Sequence, residues 1–156
     1  MIRIIGDGGH AAVVRDAART LISGRTVVAV GNNADRKSEV ERQPEGTSYA
    51  VVIDPNAVVS DEAEIGDGTV VMAGAVVQAR AKAGRHVILN SNSSTDHDCT
   101  IGDFAHIAPG AVLCGNVTVG EGALVGAGAV CLPGAVIEPW TTVKAGEVVK
   151  CNRHTK

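Results

Sequence analysis

Aromatic side chains are almost absent from this chain of 156 residues, which contains one Trp, one Tyr and one Phe. Ordinary globular cores use large aromatic side chains for much of their buried area. Hydrophobic residues nevertheless make up 45% of the sequence, and 19 residues are Gly. The core must therefore be built from small and β-branched side chains, which favours narrow, regular layers and thus a repeat.

The sequence also has no basic run. Lys and Arg number 14 against 17 Asp and Glu, which gives a net charge of -3, so the electrostatic footprint of a nucleic-acid or anionic-lipid ligand is missing. No stretch approaches the roughly 18 to 20 apolar residues of a membrane span. Gly6 and Asp7 interrupt the apolar start, unlike a signal peptide. These observations predict a cytoplasmic protein with no nucleic-acid partner and no membrane partner.

Cysteine pairs of the CxxC type are missing as well. The four cysteines are Cys99, Cys114, Cys131 and Cys151, and a chain of this length needs no disulfide bonds. We expect four free thiols. Cys99 and Cys131 fall on inward positions of the repeat described next, as small core residues do, and Cys114 has no basic sequence neighbour that would activate it as a nucleophile.

A strict six-residue period runs from Ile53 to Val149. Only Thr95 is polar among the 17 residues at this spacing, which are Ile53, Val59, Ile65, Val71, Val77, Ala83, Leu89, Thr95, Ile101, Ile107, Leu113, Val119, Val125, Cys131, Ile137, Val143 and Val149. The residues four places further on are also small or β-branched, so two positions in six point inwards. Helical repeats would show a period of 3.6 and a hairpin meander a period of two. Short parallel strands joined by tight turns remain, and these stack into a β-helix.

Repeats such as Ile65-Gly66-Asp67-Gly68-Thr69-Val70 resemble those of the hexapeptide-repeat acyltransferases. The resemblance implies a mainly β fold, a left-handed parallel β-helix over residues 53–149 with three hexads in each triangular coil, and a tail at residues 150–156. It also implies a homotrimer that binds acetyl-CoA as co-substrate in the groove between neighbouring prisms, with no metal.

Residues 1–52 show a different pattern. An apolar strand at residues 2–5 is followed by a Gly-rich turn at 6–10, a helix at 11–22 and a second strand at 26–30. The residues spaced for one buried helix face are Val13, Val14, Ala17 and Leu21. Strand, Gly-rich turn, helix and strand form the start of an α/β nucleotide-binding unit of Rossmann type. Taken alone, the pattern is equally compatible with a tight connection that binds nothing.

The Gly6-Asp7-Gly8-Gly9-His10 turn ahead of a hexapeptide prism is similar to that of the sugar acetyltransferases. These are typified by sialic acid O-acetyltransferase and by N-acetyltransferases of nucleotide-linked 4-amino-4,6-dideoxy sugars. The resemblance implies that Gly8, Gly9 and His10 contact the nucleotide phosphate and that Asn32 or Asn33 lies near the base or ribose. Between residues 33 and 49 the sequence departs from the family, because only a polar stretch stands where relatives carry another strand and helix. Residues 48–53 are expected to form the last strand of this shortened sheet.

The hexad pattern turns polar between Asn90 and Cys99. In the repeat register His97 and Asp98 fall on an outward turn. Acyl transfer from a thioester requires a base, imidazole is suited to this near neutral pH, and a neighbouring carboxylate orients the ring. Although such residues are also common on solvated surfaces, the match to the family's His–acid pair favours His97 as general base, Asp98 as its support and Asn90 as a substrate contact.

Further contacts with acetyl-CoA are implied by the resemblance. His106 lies half a coil beyond His97, on a different edge of the prism, and would contact the acetyl or pantetheine end, although a plain interface histidine is equally compatible with the sequence. Small residues would let pantetheine approach the backbone, and a lysine would meet a phosphate. The residues assigned to this groove are Gly126, Ala127, Lys144 and Ala145, which also satisfy the repeat.

The sequence thus predicts an acetyl-CoA-dependent N-acetyltransferase that acts on a UDP- or dTDP-linked 4-amino-4,6-dideoxy sugar by direct transfer. Three alternatives stay open. The first is O-acetylation of a sugar such as sialic acid, and the second is a non-catalytic trimeric scaffold. The third is a zinc enzyme using His86, His97 and His106, whose spacings of 11 and 9 residues differ from the five-residue spacing of two ligands in the β-helix carbonic anhydrases.

Overall fold

The structure is a computed structural model that describes residues 2–18 and 25–151. The chain begins with a small α/β unit, called the front unit below. Its strands β1 (Arg3–Ile5) and β2 (Thr26–Val28) pair in parallel. An isolated parallel bridge between Thr26 and Tyr49 adds a third, minimal strand position beside β2.

Helix α1 (Gly9–Ala17) begins directly after the glycines of the first turn. It starts two residues earlier than predicted, and the predicted end around Leu21 lies outside the described residues. Ala11, Val14 and Ala17 form its buried face. The prediction was wrong for Val13, whose side chain is 47% exposed, because the helix turns its Ala11 stripe rather than Val13 towards the sheet.

The polar stretch after β2 is not a bare connection, and our expectation there is wrong. It forms helix α2 (Asn33–Glu41). Asn32 caps this helix, because its side-chain Oδ1 accepts a 3.0 Å hydrogen bond from the Asp35 amide. Arg36 is the one buried side chain of α2, which explains why hydrophobic periodicity does not reveal the helix.

Seventeen two-residue strands build a triangular prism with three parallel sheets. The face that the front unit covers, called the docked face, contains β3 (Val52–Ile53), β6 (Val70–Val71), β9 (Ile88–Leu89), β12 (His106–Ile107), β15 (Leu124–Val125) and β18 (Thr142–Val143). The valine face contains β4 (Val58–Val59), β7 (Val76–Val77), β10 (Ser94–Thr95), β13 (Val112–Leu113), β16 (Val130–Cys131) and β19 (Val148–Val149). The polar face contains β5 (Glu64–Ile65), β8 (Lys82–Ala83), β11 (Thr100–Ile101), β14 (Thr118–Val119) and β17 (Val136–Ile137).

Partner residues on neighbouring coils are 18 positions apart, as in the pairs Val52 with Val70 and Thr95 with Leu113. The predicted mainly β fold, a β-helix of hexapeptide repeats behind an α/β unit, is confirmed. The second residue of each strand points inwards, and these positions are buried from Val71 to Val143. Thr95 is buried too, with no hydrogen-bond partner for its hydroxyl, whereas Ile53 at the first coil stays 39% exposed.

The front unit packs on the first coils of the docked face. Val52, Val70 and Ile88 lie in one buried cluster with Val14 and Val27 of the front unit. His106, Leu124 and Thr142 continue the same outward column beyond the covered area. The front unit therefore ends at the coil that carries His106. Within the described ranges, no helix is long and apolar enough to cross a membrane.

Arg36 joins the front unit to the prism from inside. Its side chain is 1% exposed, and burial lowers its pKa to about 10. Its guanidinium donates to the carbonyl oxygens of His86 at 2.9 Å and Phe104 at 2.6 Å on the prism. It also donates to the Val30 carbonyl at 3.0 Å and to the Asn33 Oδ1 at 2.9 Å in the front unit. A single cation thus bridges two elements that share little sequence pattern.

All three aromatic residues lie along this junction, which we call the seam. The Tyr49 ring meets the His86 ring edge-on with centroids 4.5 Å apart, and His86 stacks on Phe104 at 5.2 Å. Lys37 of α2 holds its Nζ 5.8 Å from the Phe104 centroid and 5.2 Å from the Trp140 centroid. The same Nζ donates to Glu121 at 2.8 Å. The large side chains missing from the prism interior are therefore used where the two units meet.

Candidate active site

The turns of the prism form three edges, and each edge repeats one residue position every 18 residues. Left-handed backbone conformations mark these positions. The seam edge, between the polar and docked faces, carries Gly68, His86, Phe104, Gly122 and Trp140. The open edge, between the docked and valine faces, carries Gly74, Asn92, Gly110, Gly128 and Gly146. The His97 edge, between the valine and polar faces, carries Arg80, Asp98, Asn116 and Gly134.

His97 and Asp98 lie on an outward turn, where the sequence places them. The Nδ1 of His97 is 2.7 Å from Oδ2 of Asp98, and the two side chains are 50% and 33% exposed. Asp98 has φ of 59°, a left-handed conformation that Asp tolerates better than most residues. The His97 amide donates to Asp96 Oδ1 at 2.7 Å. Because a carboxylate accepts the Nδ1 proton, Nε2 is left as the basic atom of the ring.

Asp98 has a second partner that the sequence analysis missed. Arg80, one coil earlier, donates from Nε to Oδ1 at 2.7 Å and from a terminal nitrogen to Oδ2 at 3.0 Å. These hydrogen bonds, followed by the one with His97, lower the pKa of Asp98 to about 2. The carboxylate is therefore ionised over the whole range in which imidazole titrates. The signal was present, because residues 18 positions apart stack in this fold.

Gly115 makes room for the His97 ring on the following coil. A Cβ at this position would lie 2.6 Å from both Cε1 and Nε2 of His97. Such a distance is shorter than any normal van der Waals contact. Gly115 is therefore a shape requirement of the site, and the hexad pattern alone does not distinguish it from the turn glycines.

His106 lies on the docked face at the boundary of the front unit. Its Nε2 is 3.0 Å from the Asn90 amide nitrogen, and its ring hydrogen-bonds to the backbone of Gly31. Burial, with smaller contributions from Arg36 and His10, lowers its pKa to about 4. His106 is thus a neutral ring, held by a prism side chain on one side and by the front unit on the other.

The predicted phosphate-binding turn borders a cleft of about 370 Å³ at the carboxyl ends of β1 and β2. Gly8, Gly9 and His10 line it together with Val30 and Gly31. The Nε2 atom of His10 is buried and has no hydrogen-bond partner. Burial, assisted by the charge of Arg36, lowers the pKa of His10 to about 4. The cleft therefore presents backbone of the α1 N-terminus beside an unsatisfied imidazole nitrogen.

A second cavity of about 280 Å³ continues along the docked face. It is lined by Gly31, Asn32, Asn33, Ala34, His106, Gly122, Leu124, Trp140 and Thr142. Gly31 belongs to both cavities and joins them. The Asn33 amide is committed to the prism, since it donates to the carbonyls of Gly122 at 3.0 Å and Ala123 at 3.2 Å. Asn32 uses its oxygen for the α2 cap, so any contact of these two residues with a base or ribose stays a prediction.

The predicted acetyl-CoA residues lie along the open edge. Asn90, Gly126 and Lys144 occupy equivalent positions of the first, third and fourth coils counted from Asn90. Ala127 and Ala145 follow in the same column, and all except the buried Gly126 and half-buried Asn90 are exposed. With strands roughly 4.8 Å apart, this column runs about 14 Å from Asn90 to Lys144. It is a straight, small-residue path that begins beside His106.

Within one chain, His97 and His106 are on opposite sides of the prism. The His97 edge is the corner that faces away from the docked face. The structure therefore brings together the front-unit turn, Asn90 and His106, but not His97 with any of them. His86, the third histidine of the zinc alternative, is buried in the seam. Across residues 2–18 and 25–151, no three His, Cys, Asp or Glu side chains are grouped to hold a metal ion.

Comparison with known proteins decides the family. The model of bacterial transferase hexapeptide repeats matches residues 98–133. The acetyltransferase domain of PglB from Neisseria gonorrhoeae is 35% identical, with 96% of this chain and 91% of that domain covered and a TM-score of 0.90. The chain belongs to the hexapeptide-repeat sugar acetyltransferases. PerB from Caulobacter crescentus, solved with CoA and GDP-perosamine, is 33% identical over 95% of this chain and 87% of that one, with a TM-score of 0.90.

Curated relatives are matched over a smaller part. The GDP-perosamine N-acetyltransferase of Escherichia coli O157:H7 is 32% identical over 63% of this chain and 45% of that protein. The chain thus spans about half the length of the curated relatives it matches.

Proposed function

We propose that this chain is an acetyl-CoA-dependent N-acetyltransferase of a nucleotide-linked amino sugar, with His97 as general base. The observation that carries the proposal is the 2.7 Å contact between His97 Nδ1 and Asp98 on an exposed prism edge. The relation to PerB, solved with CoA and GDP-perosamine, supports the substrate class. A UDP- or dTDP-linked sugar stays the sequence prediction for the nucleotide, and a protein that uses acetyl-CoA is expected in the cytoplasm.

The proposed reaction is a direct transfer. Asp98 holds the Nδ1 proton, so Nε2 of His97 accepts a proton from the sugar amine as the amine nitrogen bonds to the thioester carbonyl carbon. The C–S bond then breaks, and His97 returns the proton to the departing CoA sulfur. Asp98 stabilises the transient imidazolium through its negative charge. The products are the N-acetylated sugar and free CoA.

A second copy of the chain is needed to complete this site. The valine face offers a surface for it, because Val58 is 63% and Val148 54% exposed, and Val76, Val112 and Val130 continue the same outward column half-buried. This face is bordered by the His97 edge on one side and by the open edge with Asn90 on the other. We propose that copies meet through the valine face as a homotrimer, so that His97 of one copy lies across the groove from Asn90 and His106 of the next.

The assembly is tested by light scattering after size-exclusion chromatography. Val112→Asp places a charge in the centre of the valine face and is expected to yield monomers. Thr118→Asp makes the same change on the polar face and should leave the oligomer intact. A trimer that survives Val112→Asp, or wild-type chains that are monomeric at micromolar concentration, would refute the proposed arrangement.

The activity is tested by thiol release from acetyl-CoA with a panel of acceptors. The panel contains GDP-perosamine, UDP- and dTDP-linked 4-amino-4,6-dideoxy sugars, and free sialic acid. We expect turnover with a nucleotide amino sugar and a loss on the order of 10²- to 10⁴-fold in His97→Gln, the range typical of a general base. Glu64→Gln, an exposed change on the polar face, serves as the matched control.

The products separate the remaining alternatives. An amide product withstands mild base, whereas an O-acetyl ester is hydrolysed, so base treatment followed by mass spectrometry distinguishes N- from O-acetylation. Turnover that is unaffected by His97→Gln would remove His97 as the base. Absence of turnover with every acceptor, in a protein that is trimeric and folded, would favour the scaffold.

A further inference from the structure

The His97 edge contains a charged ladder that the proposed mechanism does not yet use. Arg80 donates two hydrogen bonds to Asp98, one to each carboxylate oxygen, in the fork geometry that guanidinium makes with carboxylates. Glu62, one coil earlier again, accepts from Arg80 at 3.5 Å. Glu62, Arg80 and Asp98 thus occupy equivalent turn positions on three successive coils, and His97 contacts the last of them.

We propose that Arg80 is a positioning residue for catalysis, which fixes the Asp98 carboxylate against His97 Nδ1 and offsets its charge so that His97 stays an unprotonated base near neutral pH. This inference rests on the proposed function, since it assigns Arg80 a role in that same site. Neither oxygen of Asp98 is left to rotate freely, because Arg80 engages both and His97 shares Oδ2.

The other charged groups around His97 leave Arg80 as the main cation of the site. Asp96 lies on the same turn and receives the His97 amide. The coil above contributes Cys114 and the small Gly115 against the ring, and the coils below contribute Arg80 and Glu62. Lys82 lines the same depression of the polar face but is paired with Glu64 at 2.8 Å. Without Arg80, His97 would face the carboxylates of Asp96, Asp98 and Glu62 with no cation in contact with them.

Charge and geometry make separate contributions, which two substitutions can distinguish. Arg80→Gln removes the cation and the fork, so the imidazolium of His97 gains stabilisation and Asp98 becomes mobile. Arg80→Lys keeps a positive charge near the carboxylate but lacks the planar fork. The first variant should change both the titration of His97 and the rate, whereas the second should restore the titration and only part of the rate.

The primary experiment is an NMR titration of the histidine Cε1 protons in the intact, ¹³C-labelled protein, with the His97 signal assigned by its loss in His97→Gln. The expected result is a His97 midpoint about 0.5 pH unit higher in Arg80→Gln than in wild type, in line with a partly exposed ion pair. Arg80→Lys should return to the wild-type midpoint. Lys82→Gln, which removes an equally exposed cation paired across the same 18-residue spacing, should leave the midpoint unchanged.

The kinetic experiment uses whichever acceptor gives turnover. We expect the acidic limb of kcat/KM to move to higher pH in Arg80→Gln by the same amount, with kcat several-fold lower at its pH optimum and the KM for acetyl-CoA unchanged. If Arg80→Gln lowers thermal stability but leaves the His97 midpoint in place, Arg80 is only structural and the inference is overturned. Because the NMR titration needs no acceptor, its outcome stays informative even if the proposed acetyltransferase activity fails.

Discussion

The interior of the prism and the seam between the two units solve burial in opposite ways. The interior repeats small apolar residues in identical layers, with Ala111, Leu113 and Val125 all fully buried. The seam contains every aromatic residue of the chain, the buried Arg36 and the buried His86. A uniform stack gains stability from each added coil but gives no reason for the front unit to settle on one coil rather than the next. The single cation and the aromatic column supply that position.

The sharpest way to break this difference is Arg36→Ala. The substitution leaves carbonyls on both sides of the seam without a donor, and we expect a loss on the order of 3 to 5 kcal/mol, as for other broken buried charge networks. The effect should be confined to the seam. In urea titrations, fluorescence of Trp140 on the seam edge should report unfolding at lower denaturant than circular dichroism of the prism.

Leu113→Ala is the matched change in the interior, with an expected loss of about 2 to 5 kcal/mol from the cavity it creates. There both signals should move together, because neighbouring coils unfold as one stack. Coincident transitions in Arg36→Ala would show that the seam has no separate stability.

Acid should weaken the seam before the prism. Burial lowers the pKa values of His10, His86 and His106 to about 4 from an ordinary 6.5. Their unfolded forms bind protons that the folded protein excludes, so the stability they contribute is complete above about pH 6.5 and is lost as the pH falls towards 4. Hydrogen exchange at pH 5 and pH 7 should therefore show α1 and α2 losing protection at the lower pH while the central coils keep theirs. Equal protection of both regions at pH 5 would contradict this prediction.

A smaller effect compares two turn glycines with the same left-handed backbone. Gly122 has φ of +63° on the seam edge, and a Cβ there would run into the Trp140 ring, whereas Gly110 has φ of +67° on the open edge with nothing within 4 Å. Gly110→Ala should cost about 1 kcal/mol for the conformation alone. Gly122→Ala should cost more and should also shift Trp140 emission. Equal melting temperatures would mean that the Trp140 ring moves aside freely.

The sequence predicted the prism almost completely, and the front unit only in part. Six-residue spacing is a direct consequence of three flat faces, so the inward residues from Thr69 to Val143 could be read from the sequence. Helix α2 could not, since the residue it buries is Arg36 and its other residues are polar. A pattern search that expects apolar residues in cores fails where a cation with carbonyl acceptors takes their place.

For the candidate site, the sequence predicted the exposed turn of His97 and Asp98 and the separation of His97 from His106. It missed Arg80 and Gly115, although both follow from adding or subtracting one coil: Arg80 lies 18 residues before Asp98, and Gly115 lies 18 after the residue that precedes His97's partner. Their roles depend on contacts between coils, whereas motif reading considers neighbours along the chain. The engagement of Asn33 with the prism was equally invisible, because it depends on how the front unit docks.

The 18-residue coil also restricts how this protein can change in length during evolution. Deleting six residues between His106 and Lys144 would rotate everything downstream by a third of a coil and move Lys144 to another edge. Deleting 18 would preserve the rotational phase and shorten the open edge by one step of roughly 4.8 Å. Tolerated insertions and deletions within the prism are therefore expected in whole coils, so the length of the surface available to an extended co-substrate varies among relatives in discrete steps.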